Sequence, residues 1–150
     1  MILLHMSLLK ILLYVVVFLL FLFVAFLVYA TLTDYKPSEK QLIAGSSEVR
    51  SLKKDTFEVF IWNIGYCGLS REMSFFYDGG RDVRTTKTHT LSNLGNIASQ
   101  LVQHGHVDFM LLQEVDIDSK RSYHIDQFSY FEDHLEYFQG YFATNYRVPF

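Results

Sequence analysis

A chain of 150 residues has room for one modest domain and an additional segment, and half of its residues are hydrophobic. The net charge of −3 gives no basic surface for non-specific binding to nucleic acid. The single cysteine, Cys67, excludes an internal disulfide and a metal site built from several cysteines.

Residues 11–30 form a long uncharged apolar run, ILLYVVVFLLFLFVAFLVYA. In a helix, a run of this length rises about 30 Å, which is the thickness of the hydrocarbon layer of a bilayer. A helix buried in a soluble protein usually keeps one polar face, and this run has none. It therefore predicts a single transmembrane helix, preceded by a short amino-terminal flank, residues 1–10.

The same run leaves two membrane roles open. Residues 28–30, Val-Tyr-Ala, have the small-x-small pattern of a signal-peptidase site, so cleavage after them is one alternative. The apolar run is longer than the roughly 7–15 residues of cleaved signals, which favours an uncleaved, single-pass anchor. Lys10 stands alone before the run, whereas Lys36 and Lys40 follow it. This imbalance favours a cytoplasmic carboxyl side, although the side of the membrane stays open.

A linker and then a folded domain are predicted after the anchor. Residues 31–55 are mixed, charged and rich in turn formers, which is typical of a juxtamembrane linker, with a short helix conceivable at 42–44. The domain, residues 56–150, opens with a β-branched and aromatic run at 57–64 that predicts a strand buried on both faces. Residues 78–80, Asp-Gly-Gly, predict a turn in the following loop.

Helices and strands alternate in the rest of the domain. Apolar residues at helical spacing predict a helix that Thr90 or Ser92 caps and Gly105 ends; they are Leu91, Leu94, Ile97, Ala98, Leu101 and Val102. The segment at 107–116, VDFMLLQEVD, predicts the second strand. A second amphipathic helix is expected over 125–138 and a third strand over 141–148.

The order β-α-β-α-β is typical of an α/β layered domain. A third strand that reaches residue 148 would leave a sheet edge open, which folded domains usually avoid. The expected fold is therefore α/β, the front part of a domain, preceded by one transmembrane helix.

Polar side chains stand at the carboxyl ends of the first two predicted strands. These are Asn63 in FIWNIGY and Glu114 in MLLQEVD. Ligands collect at this end of the strands in α/β sheets, and a carboxylate there is costly to bury without a cation or several donors. Mg²⁺ is a suitable partner because it takes oxygen ligands and needs few protein carboxylates. The alternative is an exposed Glu114 at a strand end and a turn-forming Asn63.

The spacing of these motifs resembles the endonuclease/exonuclease/phosphatase superfamily, which has the deoxyribonuclease-like fold. Similarity extends from about residue 57 onwards, with an asparagine-ended strand followed about fifty residues later by Leu-Gln-Glu-Val. The stretches that carry it are FIWNIGYCGL, DFMLLQEVD, Asp78-Gly79-Gly80, SKRSYHIDQ and FATNYRVPF.

The resemblance implies a four-layer α/β sandwich, of which this chain would form the amino-terminal part, and metal-dependent hydrolysis of phosphate esters. Glu114 matches the carboxylate that holds Mg²⁺ (or Mn²⁺), and Asn63 matches the asparagine beside the metal and the phosphate. Both are therefore candidate catalytic and metal-site residues. The resemblance also implies a phosphate ester as substrate, either a nucleic acid, a phospholipid or a small molecule, and the apolar run 11–30 implies the membrane as a second partner.

The family also places a His, an Asp-x-Asn pair and an Asp-His pair later in the domain, and this sequence does not match them. Neither His124 nor Asp116 has the family's spacing for those roles. We therefore expect the 150-residue chain to lack the groups that activate water and to be inactive alone. The alternative from another class is a non-catalytic membrane protein, either a truncated product or an interaction module.

Other polar residues have less specific patterns. His104 and His106 lie near a helix end, where a solvated cap is more usual than a metal pair. Residues 120–121, Lys-Arg, face either a phosphate or solvent, and residues 123–124, Tyr-His, are possible cleft residues. Cys67 is expected to be a small buried hydrophobic residue.

Overall fold

A computed structural model of the chain describes residues 2–38, 54–145 and 147. They belong to two units, of which one contains the long amino-terminal helix and the other spans Ala44–Phe142. The helix, α1, runs over Ile2–Leu32 and includes the predicted span 11–30. Residues 39–53, with the short helix considered at 42–44, lie outside the described residues.

Within α1, the segment Leu8–Leu32 is long and apolar enough to cross a membrane, and none of its most apolar window is buried. A signal sequence near the amino terminus meets the same criteria. At the end of α1 the hydroxyl groups of two threonines donate to carbonyl groups one turn earlier in the helix. Thr31 Oγ1 donates to Leu27 O and Thr33 Oγ1 to Tyr29 O, both at 2.8 Å.

The α/β unit is built around a two-stranded parallel sheet. Strand β1, Val59–Asn63, pairs in parallel with β2, Phe109–Gln113. Helix α2, Lys87–Gln103, lies between them in the chain, as the parallel connection requires, and the shorter helix α3, Gln127–His134, follows β2. The unit is therefore mixed α/β, and two of the three predicted strands are present.

The core lies on one face of the sheet. Buried side chains of α2, led by Leu94 and Leu101, pack with Phe131 of α3 and with Cys67 in the turn after β1. On the opposite face, side chains of both strands are exposed; they are Val59, Ile61, Phe109 and Leu111. Because side chains alternate along a strand, helices on one face leave the other uncovered. The prediction that the first strand is buried on both faces is therefore wrong.

Helix α2 begins earlier than predicted. Thr86 has an extended backbone, and its Oγ1 accepts a hydrogen bond from His89 N at 3.2 Å. It is therefore the N-cap, whereas Thr90 is a fully buried residue inside the helix and Ser92 is exposed. The predicted apolar helix is present, but its predicted cap is wrong.

Helix α3 is shorter than the predicted 125–138. Asp126 caps it by accepting a hydrogen bond from Ser129 N at 2.9 Å, which sets the first helical residue. The helix ends at His134 because the next backbone conformation, φ −113° and ψ 56°, is not helical.

The predicted third strand, 141–148, is not formed by residues 141–145 and 147; residues 146 and 148 lie outside the described part. Phe142 instead packs its ring against Phe128 of α3, with ring centres 5.5 Å apart. The described sheet contains β1 and β2 only, so this segment has no ladder partner there.

The turn predicted at residues 78–80 is confirmed. Gly79 has a φ of +81°, and Gly80 N donates a hydrogen bond to Phe75 O at 2.9 Å. A Cβ on Gly80 would lie 2.1 Å from Ser74 O, so only glycine fits there.

Candidate functional site

The parallel register brings Asn63 and Glu114 together. Asn63 is paired with Gln113, so Glu114 leaves β2 at the same edge of the sheet. The Asn63 Nδ2 group donates a hydrogen bond to Glu114 Oε1 at 3.0 Å, and Asn63 Oδ1 accepts one from Gly65 N at 2.9 Å. The amide thus connects the turn after β1 to the carboxylate after β2.

The backbone is strained where these two residues meet. Glu114 has a φ of 56°, and Tyr66 and Cys67 in the turn after β1 have values of 45° and 55°. For residues other than glycine, such conformations cost about 1–3 kcal/mol each and concentrate at functional sites. A hydrogen bond from Tyr66 N to Glu114 O, 2.9 Å long, joins the two strained segments.

Arg121 places a positive charge beside the carboxylate. Its guanidinium donates to Asp116 Oδ1 and Oδ2 at 2.9 Å and 3.0 Å, and its Nη1 lies 3.5 Å from Glu114 Oε2. The same group lies 4.2 Å from the centre of the Tyr66 ring. Burial lowers the pKa of Arg121, but hydrogen bonds and negative charge from Asp116, with the charge of Glu114, outweigh burial and raise it.

A buried glutamine, Gln127, connects the strained turn after β1 to the strained segment after β2. Gln127 is fully buried; its Nε2 donates to Tyr66 O at 2.7 Å, and its Oε1 accepts from Asp116 N at 3.0 Å. Gln127 N also donates to Asp116 O at 2.9 Å. One side chain therefore fixes backbone groups next to β1 and next to β2.

A cavity of about 420 Å³ opens beside the Asn63–Glu114 pair. Asn93 and Asn96 of α2 line it together with both of these residues. Asn93 Nδ2 also donates to Cys67 O at 3.0 Å, which ties α2 to the strained turn. The cavity has a size suited to a small phosphate ester or to one headgroup of a larger one.

The donor set fits a weakly held Mg²⁺. Glu114 keeps 39% of its side chain exposed, and Mg²⁺ sites commonly combine one or two carboxylates with several waters. Among the described residues, no group of three or more His, Cys, Asp or Glu side chains is arranged to hold a metal ion. Arg121 also competes with a cation for Glu114, so metal affinity should be low.

The histidines considered from the sequence lie elsewhere. His104 caps the end of α2 and stacks on Phe60, with ring centres 4.6 Å apart. His124 pairs with Asp118 at an exposed position. Tyr123 donates a hydrogen bond to Thr85 O at 2.5 Å and lines a second cavity.

Cys67 is buried, as predicted, and should react slowly with alkylating reagents. Burial, with a smaller contribution from the charge of Asp116, raises the pKa of its thiol from 9.0 to about 12. Since the thiolate is the nucleophile, we expect alkylation at pH 8 to be about 1,000-fold slower in the folded chain than in urea. Mass spectrometry of iodoacetamide-treated chain measures both rates, and equal rates would contradict the buried position.

Sequence reasoning identified Asn63 and Glu114, and the structure places them in contact. It missed Gln127, and it left Arg121 as a residue facing either phosphate or solvent. Arg121 lies in a short segment without apolar periodicity, where the signal is Asp116 five positions before it. Gln127 is a polar position of the predicted second helix, and the apolar spacing of that helix does not single it out. No known protein family, curated protein or solved structure matches this chain.

Proposed function

We propose that this chain supplies the metal-binding part of a membrane-anchored, Mg²⁺-dependent phosphoester hydrolase of the endonuclease/exonuclease/phosphatase type, and that it does not turn over substrate alone. The observation that carries the proposal is the 3.0 Å contact between Asn63 and Glu114 at adjacent carboxyl ends of parallel strands. The sequence motifs around these residues support the relationship to this superfamily. The four-layer sandwich fold is also part of the proposal. Helix α1 is proposed as a single-pass anchor because its apolar segment exceeds the usual length of a cleaved signal.

Glu114 is the proposed ligand of Mg²⁺ or Mn²⁺, with Asn63 beside it. A divalent cation held by Glu114 would neutralise charge on the phosphate and on the leaving oxygen. Asn63 directs its Nδ2 group at Glu114 Oε1 and so holds the carboxylate in one orientation. Arg121 lies close enough to Glu114 to attract a phosphate oxygen as well.

The substrate is proposed only by class, as a phosphate ester from a nucleic acid, a phospholipid or a small molecule. The acidic net charge of −3 gives no general attraction for nucleic acid. The proposed anchor would hold the protein at a membrane, which contains phospholipid esters. Both features make lipid and small-molecule esters as reasonable as nucleic acid.

Divalent-metal binding by the complete 150-residue chain in detergent micelles tests the proposal. The electron paramagnetic resonance signal of free Mn²⁺ reports the bound fraction in a titration. Glu114→Gln removes the negative charge while keeping the side-chain shape, so Mn²⁺ binding should weaken at least about tenfold.

Glu132→Gln is the matched control, because Glu132 is an exposed carboxylate on α3. It should bind Mn²⁺ as the unaltered chain does. If both variants bind Mn²⁺ equally well, Glu114 is not the metal carboxylate and the proposed function fails.

A further inference from the structure

A second cavity, of about 560 Å³, lies between the loop that precedes α2 and the turn that follows β2. Its walls are residues 83–86 on one side and Lys120, Arg121 and Tyr123 on the other. Three of these side chains are cationic and none is a carboxylate, since residues 83–86 read Val-Arg-Thr-Thr. The lining therefore has the charge of a site for an anion.

Arg84 is held in place without being neutralised. Its guanidinium lies 4.1 Å from the centre of the Tyr123 ring, and its Nη1 donates to Lys120 O at 2.7 Å. Tyr123 is fixed in turn by its hydrogen bond to Thr85 O. None of the ion pairs in the described part of the chain includes Arg84 or Lys120. A positioned arginine keeps most of its five donors for a ligand oxygen.

Arg121 connects this cavity to the proposed metal site. It lines the cavity, and its Nη1 lies 3.5 Å from Glu114 Oε2. Asp116 balances its charge through two short hydrogen bonds, so the uncompensated positive charge of the cavity comes from Arg84 and Lys120. Arg121 therefore belongs both to this cavity and to the proposed metal site at Glu114.

We infer that the cavity formed by Arg84, Lys120 and Tyr123 binds a phosphate group. Because this cavity shares Arg121 with the site at Glu114, it would select phosphate esters that carry a second phosphate. This assignment of the substrate class rests on the proposed function. The anion site itself does not depend on a metal. Phosphate suits it because arginine can donate two parallel hydrogen bonds to phosphate oxygens.

The site is tested by a calorimetric titration of pyrophosphate into the complete chain in detergent micelles. The buffer contains a chelator and no divalent cation, at constant ionic strength. Arg84→Gln and Lys120→Gln should each weaken pyrophosphate binding, and Arg84→Gln at least about tenfold. Lys120 offers the safer variant, because its side chain has no structural hydrogen bond among those described while its carbonyl group does.

Arg81→Gln is the matched control, since it removes an equal charge from an exposed residue three positions before Arg84. Unchanged binding in Arg81→Gln, with losses in the two cavity variants, supports the site. Equal losses in all three, or no binding by the unaltered chain at millimolar pyrophosphate, overturn it. Because no divalent cation is present, the pyrophosphate test and the Mn²⁺ test of Glu114 can fail independently of each other.

Two further ligands identify the source of the second phosphate. A nucleoside 3′,5′-bisphosphate and an inositol bisphosphate are titrated in the same way. Binding of either that depends on Arg84 supports the inference, and the tighter one names the source. If both ligands bind the Arg84→Gln variant as tightly as the unaltered chain, the inference is contradicted.

Discussion

Gln127→Leu is expected to lower the free energy of unfolding of the α/β unit by about 3 kcal/mol. The side chain is fully buried, and its amide group satisfies Tyr66 O and Asp116 N. Leucine fills similar space but leaves both backbone groups without partners, and each such loss costs about 1–3 kcal/mol. Urea unfolding of the complete chain in detergent, followed by fluorescence of the single tryptophan, Trp62, measures the change.

Gln100→Leu is the matched control for this substitution. Gln100 is an exposed residue of α2, so the same chemical change there should alter stability by less than about 0.5 kcal/mol. Equal urea midpoints for the two variants would show that Gln127 does not hold the two strained segments together.

Leu101→Ala should destabilise the α/β unit by about 3 kcal/mol, within the 2–5 kcal/mol that such truncations cost. Leu101 is a completely buried residue of α2 in the core on one face of the sheet, and truncating its side chain leaves a cavity. The same Trp62 unfolding experiment gives the value, because Trp62 packs against this core.

Leu91→Ala tests whether the effect depends on burial. Leu91 lies on the same helix and is 48% exposed, although its spacing assigned both residues to one apolar face. A loss at Leu91 as large as that at Leu101 would mean that α2 buries a different face.

The places of two strands and of one helix could be predicted because each element has its own apolar pattern. Short apolar runs predicted the strands around Ile61 and Leu111, and three- and four-residue spacing predicted the helix through Leu94 and Leu101. The proximity of Asn63 and Glu114 also followed from topology, since parallel neighbours end at the same edge of a sheet.

Features set by single hydrogen bonds could not be predicted in the same way. The start of α2 depends on Thr86 rather than on the apolar residues, and threonines and serines nearby offered equally good caps. Gln127 lies far from Tyr66 in the chain, so its role needs the tertiary fold. The apolar side chains of β1 indicated burial, yet only one face of this strand is covered.

The exposed face of the sheet makes the α/β unit intrinsically adhesive. Ile61 is 63% exposed and Leu111 is 52% exposed, on neighbouring strands, where a continuous oily surface meets water. The chain therefore exposes two apolar regions, the amino-terminal helix and this face of the sheet. In micelles that cover the helix alone, we expect the apparent molecular mass from light scattering to rise with protein concentration.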